Sequence, residues 1–125
     1  DPTIRKCCHF ARRDGFGGIV MLNVFAFRAT DERELLTAAD PIGPENYRHL
    51  IGARQVSLLT RLVVAWGNRF GPQKGTRFRT AYCHAAGACA QQVPWCWGTT
   101  KSGDPRHPLY LRNDTPLVPW KAPEY

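Results

Sequence analysis

Nowhere in the chain do apolar side chains run for the roughly 20 consecutive positions that a membrane span requires, so a membrane-spanning role is not expected. The opening Asp1-Pro2-Thr3 is followed by no charged-then-apolar leader. Nothing in the sequence therefore directs export, and a cytoplasmic location is the expectation. Paired CxxC motifs are also missing. The five cysteines, Cys7, Cys8, Cys83, Cys89 and Cys96, are odd in number, which argues against a disulfide framework. Cys83-His84, Cys89 and Cys96 match no common zinc spacing, and Cys89 falls on an apolar helical stripe. Free buried thiols in a reducing compartment are the better reading, with no metal or other cofactor expected. Acidic residues are few: 10 against 17 lysines and arginines, a net charge of +7. That excess favours polyanionic partners, because summed charge steers association. Nucleic acid fits better than a membrane surface, since no helix pairs a basic face with a large aromatic one. Ser102 and His107 stand close together, but no nucleophile-elbow pattern surrounds the serine.

What is present fits one domain. A chain of 125 residues, 43% apolar, suffices for a single core. Asp1 and Pro2 suit a helix start, with Ile4, Cys7, Cys8 and Ala11 on one face and Gly15 as the stop. The run Ile19-Val20-Met21-Leu22-Asn23-Val24-Phe25 reads as a strand buried on both faces, with Asn23 its one polar residue. Asp31 and Glu34 form a reciprocal cap for a short helix. A further helix is expected from about Glu45, with Tyr47, Leu50 and Ile51 inward. Leu62–Trp66 is a second buried strand. Gly67–Gly75 (GNRFGPQKG) is a glycine-rich loop that lacks the Gly-x-x-x-x-Gly-Lys-Ser/Thr phosphate motif. Phe78, Tyr82, Ala85 and Cys89 mark another helix. Val93–Trp97 is a weaker strand, with Pro94 confined to its start or an edge. From Gly98 the chain reads as loop, and 112–125 as a proline-rich tail of the single domain 1–125.

Strands that alternate with helices imply a parallel sheet with right-handed crossovers. All strand carboxyl ends then share one edge, where ligands of open α/β sheets bind. That edge would gather Arg28, Gly67, Arg69, Lys74, Lys101, Ser102, Arg106 and His107.

The stretches DPTIRKCCHFARRDGFGG, NVFAFRATDERELLTAADPIGPEN, VVAWG and TTKSGDPRHPLYL resemble the bacterial and phage family catalogued as domain of unknown function 1643. Members usually carry a strand ending in Leu-Asn-Pro-Ser-Thr upstream of the point where this chain begins. The resemblance therefore implies a sheet without its first strand and an N-terminally truncated chain.

A more distant resemblance is to uracil-DNA glycosylases, which carry a water-positioning loop, a strand-borne Asn, a Trp-Gly strand end and a His-Pro loop followed by Leu. Asn23, Trp66-Gly67 and His107-Pro108-Leu109 follow that order. The resemblance implies a three-layer α/β sandwich, a short parallel sheet flanked by helices, and hydrolysis of the N-glycosidic bond to uracil or a modified base, in DNA ahead of RNA. The alternative is a nucleic-acid or nucleotide-binding module without catalysis.

In such a site Asn23 would read the base edge, since an amide both donates and accepts. Otherwise it bonds neighbouring backbone. His107 would donate to the departing anionic base, or else only order its turn. Leu109 would wedge into the gap left by a flipped base, or belong to the core. Asp104 is the best water activator within the chain, and equally a turn residue before Pro105. Lys101, Ser102, Arg106, Tyr110, Arg28, Arg69 and Lys74 suit nucleic-acid contacts, and Gly67 opens a loop whose backbone amides can approach a phosphate.

Overall fold

A computed structural model of the chain describes residues 1–23, 43–53, 61–67 and 93–121. Helix α1 spans Pro2–Arg13. Its start follows from Asp1, whose Oδ1 accepts from the Thr3 N–H at 2.8 Å, and from Pro2, whose missing donor costs nothing in a first turn. Arg12 and Arg13 in the last turn oppose the negative end of the helix dipole. The stop is a complete Schellman motif. The Gly15 N–H donates to the Arg12 carbonyl and the Phe16 N–H to the Ala11 carbonyl, with Gly15 at φ +82. The buried stripe is Cys7, Phe10 and Ala11. The expected stripe is thus rotated: Ile4 faces solvent, Cys8 is half-buried, and Phe10 is 1% exposed.

The expected buried strand at Ile19–Phe25 is not formed over its described part. Ile19–Asn23 has no ladder partner, and Val20 is 68% exposed. An apolar run marks a strand only where a neighbour takes up its N–H and C=O groups. Val24 and Phe25 lie outside the described residues, as do the short helix capped by Asp31, the loop residues 68–75 and the helix of Phe78–Cys89. Helix α2 spans Pro44–Ala53, close to expectation. Pro44 occupies its first position after Gly43 (φ +81). Leu50 is buried and Tyr47 half-buried, while Ile51 is exposed.

The sheet is built around strand β1, Trp95–Cys96. On one side Val63 bridges Trp95 in parallel. The Val64 N–H donates to the Trp95 carbonyl, and the Trp95 N–H to the Leu62 carbonyl, both at 2.8 Å. On the other side lies β2, Val118–Pro119, antiparallel, with Trp95 opposite Pro119 and Cys96 opposite Val118. On sequence alone this segment is expected to be loop. Pro119 breaks a strand pattern, yet it is tolerated where a strand pairs on one side only, and among the described residues β2 pairs only with β1.

Side chains alternate across these segments, so both sheet faces are apolar. One face packs Val63, Ala65, Trp97, Leu111 and Leu117 against Cys7 and Phe10 of α1, with the Phe10 and Trp97 rings 4.8 Å apart. The other gathers Val64, Cys96, Trp66 and Trp120, with Trp66 and Trp120 edge to face at 5.2 Å. No helix among the described residues is long and apolar enough to cross a membrane.

Candidate functional site

The parallel bridge between Val63 and Trp95 gives the two segments one direction. Their carboxyl ends, Gly67 and Gly98, therefore emerge at the same end of the sheet. Both meet the returning chain. The Gly67 N–H donates to the Pro105 carbonyl at 2.8 Å, and the Arg106 N–H to the Gly98 carbonyl at 3.0 Å. Both glycines adopt positive φ, +77 and +88. A Cβ on Gly67 would lie 3.2 Å from the His107 Cβ, and one on Gly98 3.4 Å from the Arg106 Cδ. Gly67 thus sets how closely His107 approaches its strand end, whereas at Gly98 the contact is ordinary and the positive φ is what favours glycine.

Between these anchors, residues 99–105 form a small hairpin. Thr99 bridges Pro105 antiparallel. The Thr100 N–H donates to the Asp104 carbonyl at 2.8 Å, and the Gly103 N–H to the Thr100 carbonyl at 3.0 Å. With Gly103 at φ +83, this is the three-residue hairpin loop that ends in a left-handed glycine. Lys101 sits exposed at its tip and Ser102 half-buried beside it. The Trp120 indole N–H donates to the Gly103 carbonyl at 3.3 Å, tying the hairpin to the core. Asp104 is 2% exposed, a placement that suits a turn residue better than a group meeting water.

After the hairpin, Arg106 and His107 are exposed. His107 Nδ1 accepts from the Leu109 N–H at 3.2 Å. That bond assigns the ring's proton to Nε2 in the neutral form and makes Nε2 a donor. Buried Pro108 and Leu111 pin the next turn, the Leu111 N–H donating to the Pro108 carbonyl at 3.1 Å. Leu109 is half-buried, whereas Tyr110 is 93% exposed.

The structure thus brings Gly67, Lys101, Ser102, Asp104, Arg106, His107, Leu109 and Tyr110 to one end of the sheet. Asn23 is not tied to them. It is exposed, its main-chain carbonyl accepts from Asn46 Nδ2 of α2 at 2.8 Å, and no hydrogen bond among the described residues joins it to the His107 loop. Arg28, Arg69 and Lys74 lie outside the described residues.

Two features escaped the sequence reading. Sequence marks Gly98 only as the start of a loop, yet its carbonyl accepts the Arg106 N–H next to the bond from the Gly67 N–H to Pro105. Arg61 stacks over the Trp95 ring at 4.2 Å and the Phe16 ring at 5.5 Å. Nothing local in the sequence signals this packing, because the three residues meet only in the fold.

Several cations elsewhere are engaged, whereas exposed Arg5, Arg12, Arg48 and Lys121 have no ion pair or side-chain hydrogen bond among the described residues. Arg13 pairs with Asp14 at 3.0 Å and Arg112 with Asp114 at 3.2 Å, and Lys6 donates to Asn113 Oδ1. Lys101 and the Arg106 guanidinium have neither an ion pair nor a side-chain hydrogen bond among the described residues. Both are exposed, with no acidic counterpart among the described residues.

No curated protein and no solved structure matches the chain. A family model does, described as protein of unknown function (DUF1643), over residues 1–109. With that match over most of its length, the chain belongs to the DUF1643 family.

Proposed function

We propose that the protein binds nucleic acid, DNA ahead of RNA, through the sheet end built by Gly67, Gly98 and the 99–111 loops. The observation that carries this is the placing of two exposed cations by backbone hydrogen bonds at one end of the sheet, Lys101 at the hairpin tip and Arg106 directly after the hairpin, beside His107. Cations held in place by backbone suit phosphates, which dominate affinity for nucleic acid. The likeness to uracil-DNA glycosylases supplies the reaction class: hydrolysis of the N-glycosidic bond to uracil or a modified base. In that reaction the C–N bond breaks with its electron pair leaving on the base, water adds to the sugar carbon, and the proton the water releases ends on the base. Charge then develops on the base, and a donor held in place beforehand stabilises it most in the transition state. His107 Nε2 is suited to that task, because the Leu109 N–H commits Nδ1 as acceptor.

A second reading, binding without turnover, is favoured by two specific observations. The carboxyl of Asp104 is buried, and Asn23 has no described link to the His107 loop.

Fluorescence anisotropy with labelled DNA, titrated over salt, tests the binding. Log affinity should fall linearly with log salt, and Lys101→Ala and Arg106→Ala should each flatten the slope by about 1. Salt-independent affinity would remove the proposal's electrostatic basis. Incubation with duplexes carrying uracil or other modified bases then separates the two readings. Abasic sites made by the wild type and lost in His107→Ala support hydrolysis. Salt-dependent binding without abasic product supports the second reading.

A further inference from the structure

We infer that Tyr110 is a stacking platform for an unpaired base, so that the strand bound at this end of the sheet is single-stranded or locally opened. The inference rests on the nucleic-acid reading above and specifies which form of nucleic acid the site takes. It starts from an arrangement that runs against burial. Pro108 and Leu111 on either side are buried, and the Leu111 N–H closes the turn onto the Pro108 carbonyl at 3.1 Å. Between them Tyr110 is left 93% exposed. The turn therefore displays the ring from a fixed base rather than from a loose segment. A tyrosine has only two side-chain torsions, so little freedom remains to be lost when the ring is covered.

Leu109, the apolar candidate for a wedge, is half-buried and supplies the N–H that orients His107. The available apolar face in this loop is that of Tyr110. Its surroundings point to a base rather than to a protein. Arg106 and His107 precede it and are exposed, Asp104 is buried, and the exposed acid on the other side, Asp114, is paired with Arg112 at 3.2 Å. Among the described residues, the other exposed large apolar side chains lie at 4, 19–22, 51, 93 and 118. Tyr110 is thus the one such side chain between 94 and 117, and along the chain the exposed neighbours are Arg106, His107 and Arg112, the last paired with Asp114. A protein interface centres on a cluster of apolar anchors. An isolated ring beside cations is instead the combination that holds single strands, in which every base offers a π-face and every linkage a phosphate. In a duplex the bases are stacked on one another and their faces are closed.

The test is anisotropy with one labelled oligodeoxythymidine and one duplex, for wild type, Tyr110→Ala, Tyr110→Phe and Arg106→Ala. Stacking on one base predicts that Tyr110→Ala weakens single-strand binding by about 5- to 150-fold. Its duplex affinity and its salt slope should stay within error of wild type, and Tyr110→Phe should restore the single-strand affinity. Arg106→Ala should instead flatten the salt slope on both ligands. Because Tyr110 is exposed, the thermal midpoint of Tyr110→Ala should match wild type. If Tyr110→Ala binds the single strand as wild type does, or loses both ligands equally, the stacking role is overturned while the nucleic-acid reading stands. If the wild type binds neither ligand in a salt-dependent way, both are overturned.

Discussion

Gly67 and Gly15 both hold positive φ, but they answer different questions. At Gly15 (φ +82) a Cβ would meet nothing within 4 Å. Replacement there probes conformation alone, and Gly15→Ala should cost about 1–2 kcal/mol, read as a lower thermal midpoint with every sheet-end function intact. At Gly67 (φ +77) a similar strain is joined by a contact 3.2 Å from the His107 Cβ. Gly67→Ala should therefore cost a comparable 1–2 kcal/mol and also move His107, weakening DNA binding or base release beyond what the stability loss explains. Comparing the two variants by thermal melt and by anisotropy separates the effects. If Gly67→Ala matches Gly15→Ala in both, the contact with His107 is functionally idle. The cysteines give a pH-dependent test. Desolvation by burial, and for Cys7 also the neighbouring Cys8 thiol, raises the Cys7 and Cys96 thiols above the ordinary value of 9.0. A raised pKa in the folded state means that the fold retains protons the unfolded chain would release. The associated stability is fully present below about pH 9 and is lost as pH climbs through the raised values. Resistance to chemical denaturation should thus fall on going from pH 8 to pH 10, and Cys7→Ser with Cys96→Ala should flatten that fall. Peptide mapping after brief alkylation at pH 8 should find half-buried Cys8 modified ahead of both.

Among the elements, α1 is held by more than its apolar stripe. Arg13 forks onto both oxygens of Asp14, while its Nη1 donates to the Asn113 carbonyl at 2.9 Å and to that of Thr115. The same guanidinium lies 4.8 Å from the Phe10 ring centre. One planar group thus joins the helix end, the core and the 113–115 loop, a geometry that a lysine ammonium cannot copy. Arg13→Ala should cost about 1–2 kcal/mol, the partly exposed pair counting for less than the bonds to carbonyls. Arg13→Lys should recover little of it in a denaturant titration; full recovery would mean that charge rather than the fork matters. How far these elements were legible depends on where their determinants lie. The caps of α1 are local, and Asp1, Pro2 and Gly15 announce them, whereas Pro44 reads on sequence as part of a turn and proves to be the first residue of α2. Which face of α1 turns inward is not local: Ile4 and Phe10 are both apolar, and only the position of Trp97 selects Phe10. The run Ile19–Leu22 shows the same limit, since its composition suits a strand but pairing requires a neighbour. At the site, Gly67, Arg106 and His107 were legible as residue types at the ends of predicted strands. The Leu109 bond that sets the His107 tautomer, the burial of Asp104 and the exposure of Tyr110 arise from turn geometry that composition does not encode.

Across the whole molecule the net charge of +7 divides by use. Lys6, Arg13 and Arg112 are engaged around α1 and the 112–115 loop, whereas Lys101 and Arg106 at the sheet end, like Arg5, Arg12, Arg48 and Lys121, are left to solvent. The same 112–121 segment that occupies those structural cations also finishes the sheet. Leu117 packs on the face toward α1, Val118–Pro119 pairs with β1, and the Trp120 N–H donates to the Pro94 carbonyl at 2.8 Å. Trp120 is buried against Trp66 and reaches the hairpin through Gly103. The family match ends at residue 109, yet this later segment joins both core faces and the candidate site. The proline-rich stretch should therefore behave as part of the domain. Burying a tryptophan is worth about 3–5 kcal/mol by truncation, against a total of about 5–15 kcal/mol for a typical domain. Trp120→Ala should lower the thermal midpoint by roughly 10 °C or more and loosen the hairpin it anchors. Deleting residues 112–125 removes the strand, the Arg13 acceptors and Trp120 together, and should abolish the cooperative unfolding transition in circular dichroism. A deletion variant that melts cooperatively within a few degrees of the full chain would show instead that the core of α1, Leu62–Trp66 and β1 stands without β2. The hairpin cations would then be displayed by the shorter unit, and its DNA affinity would remain salt-dependent.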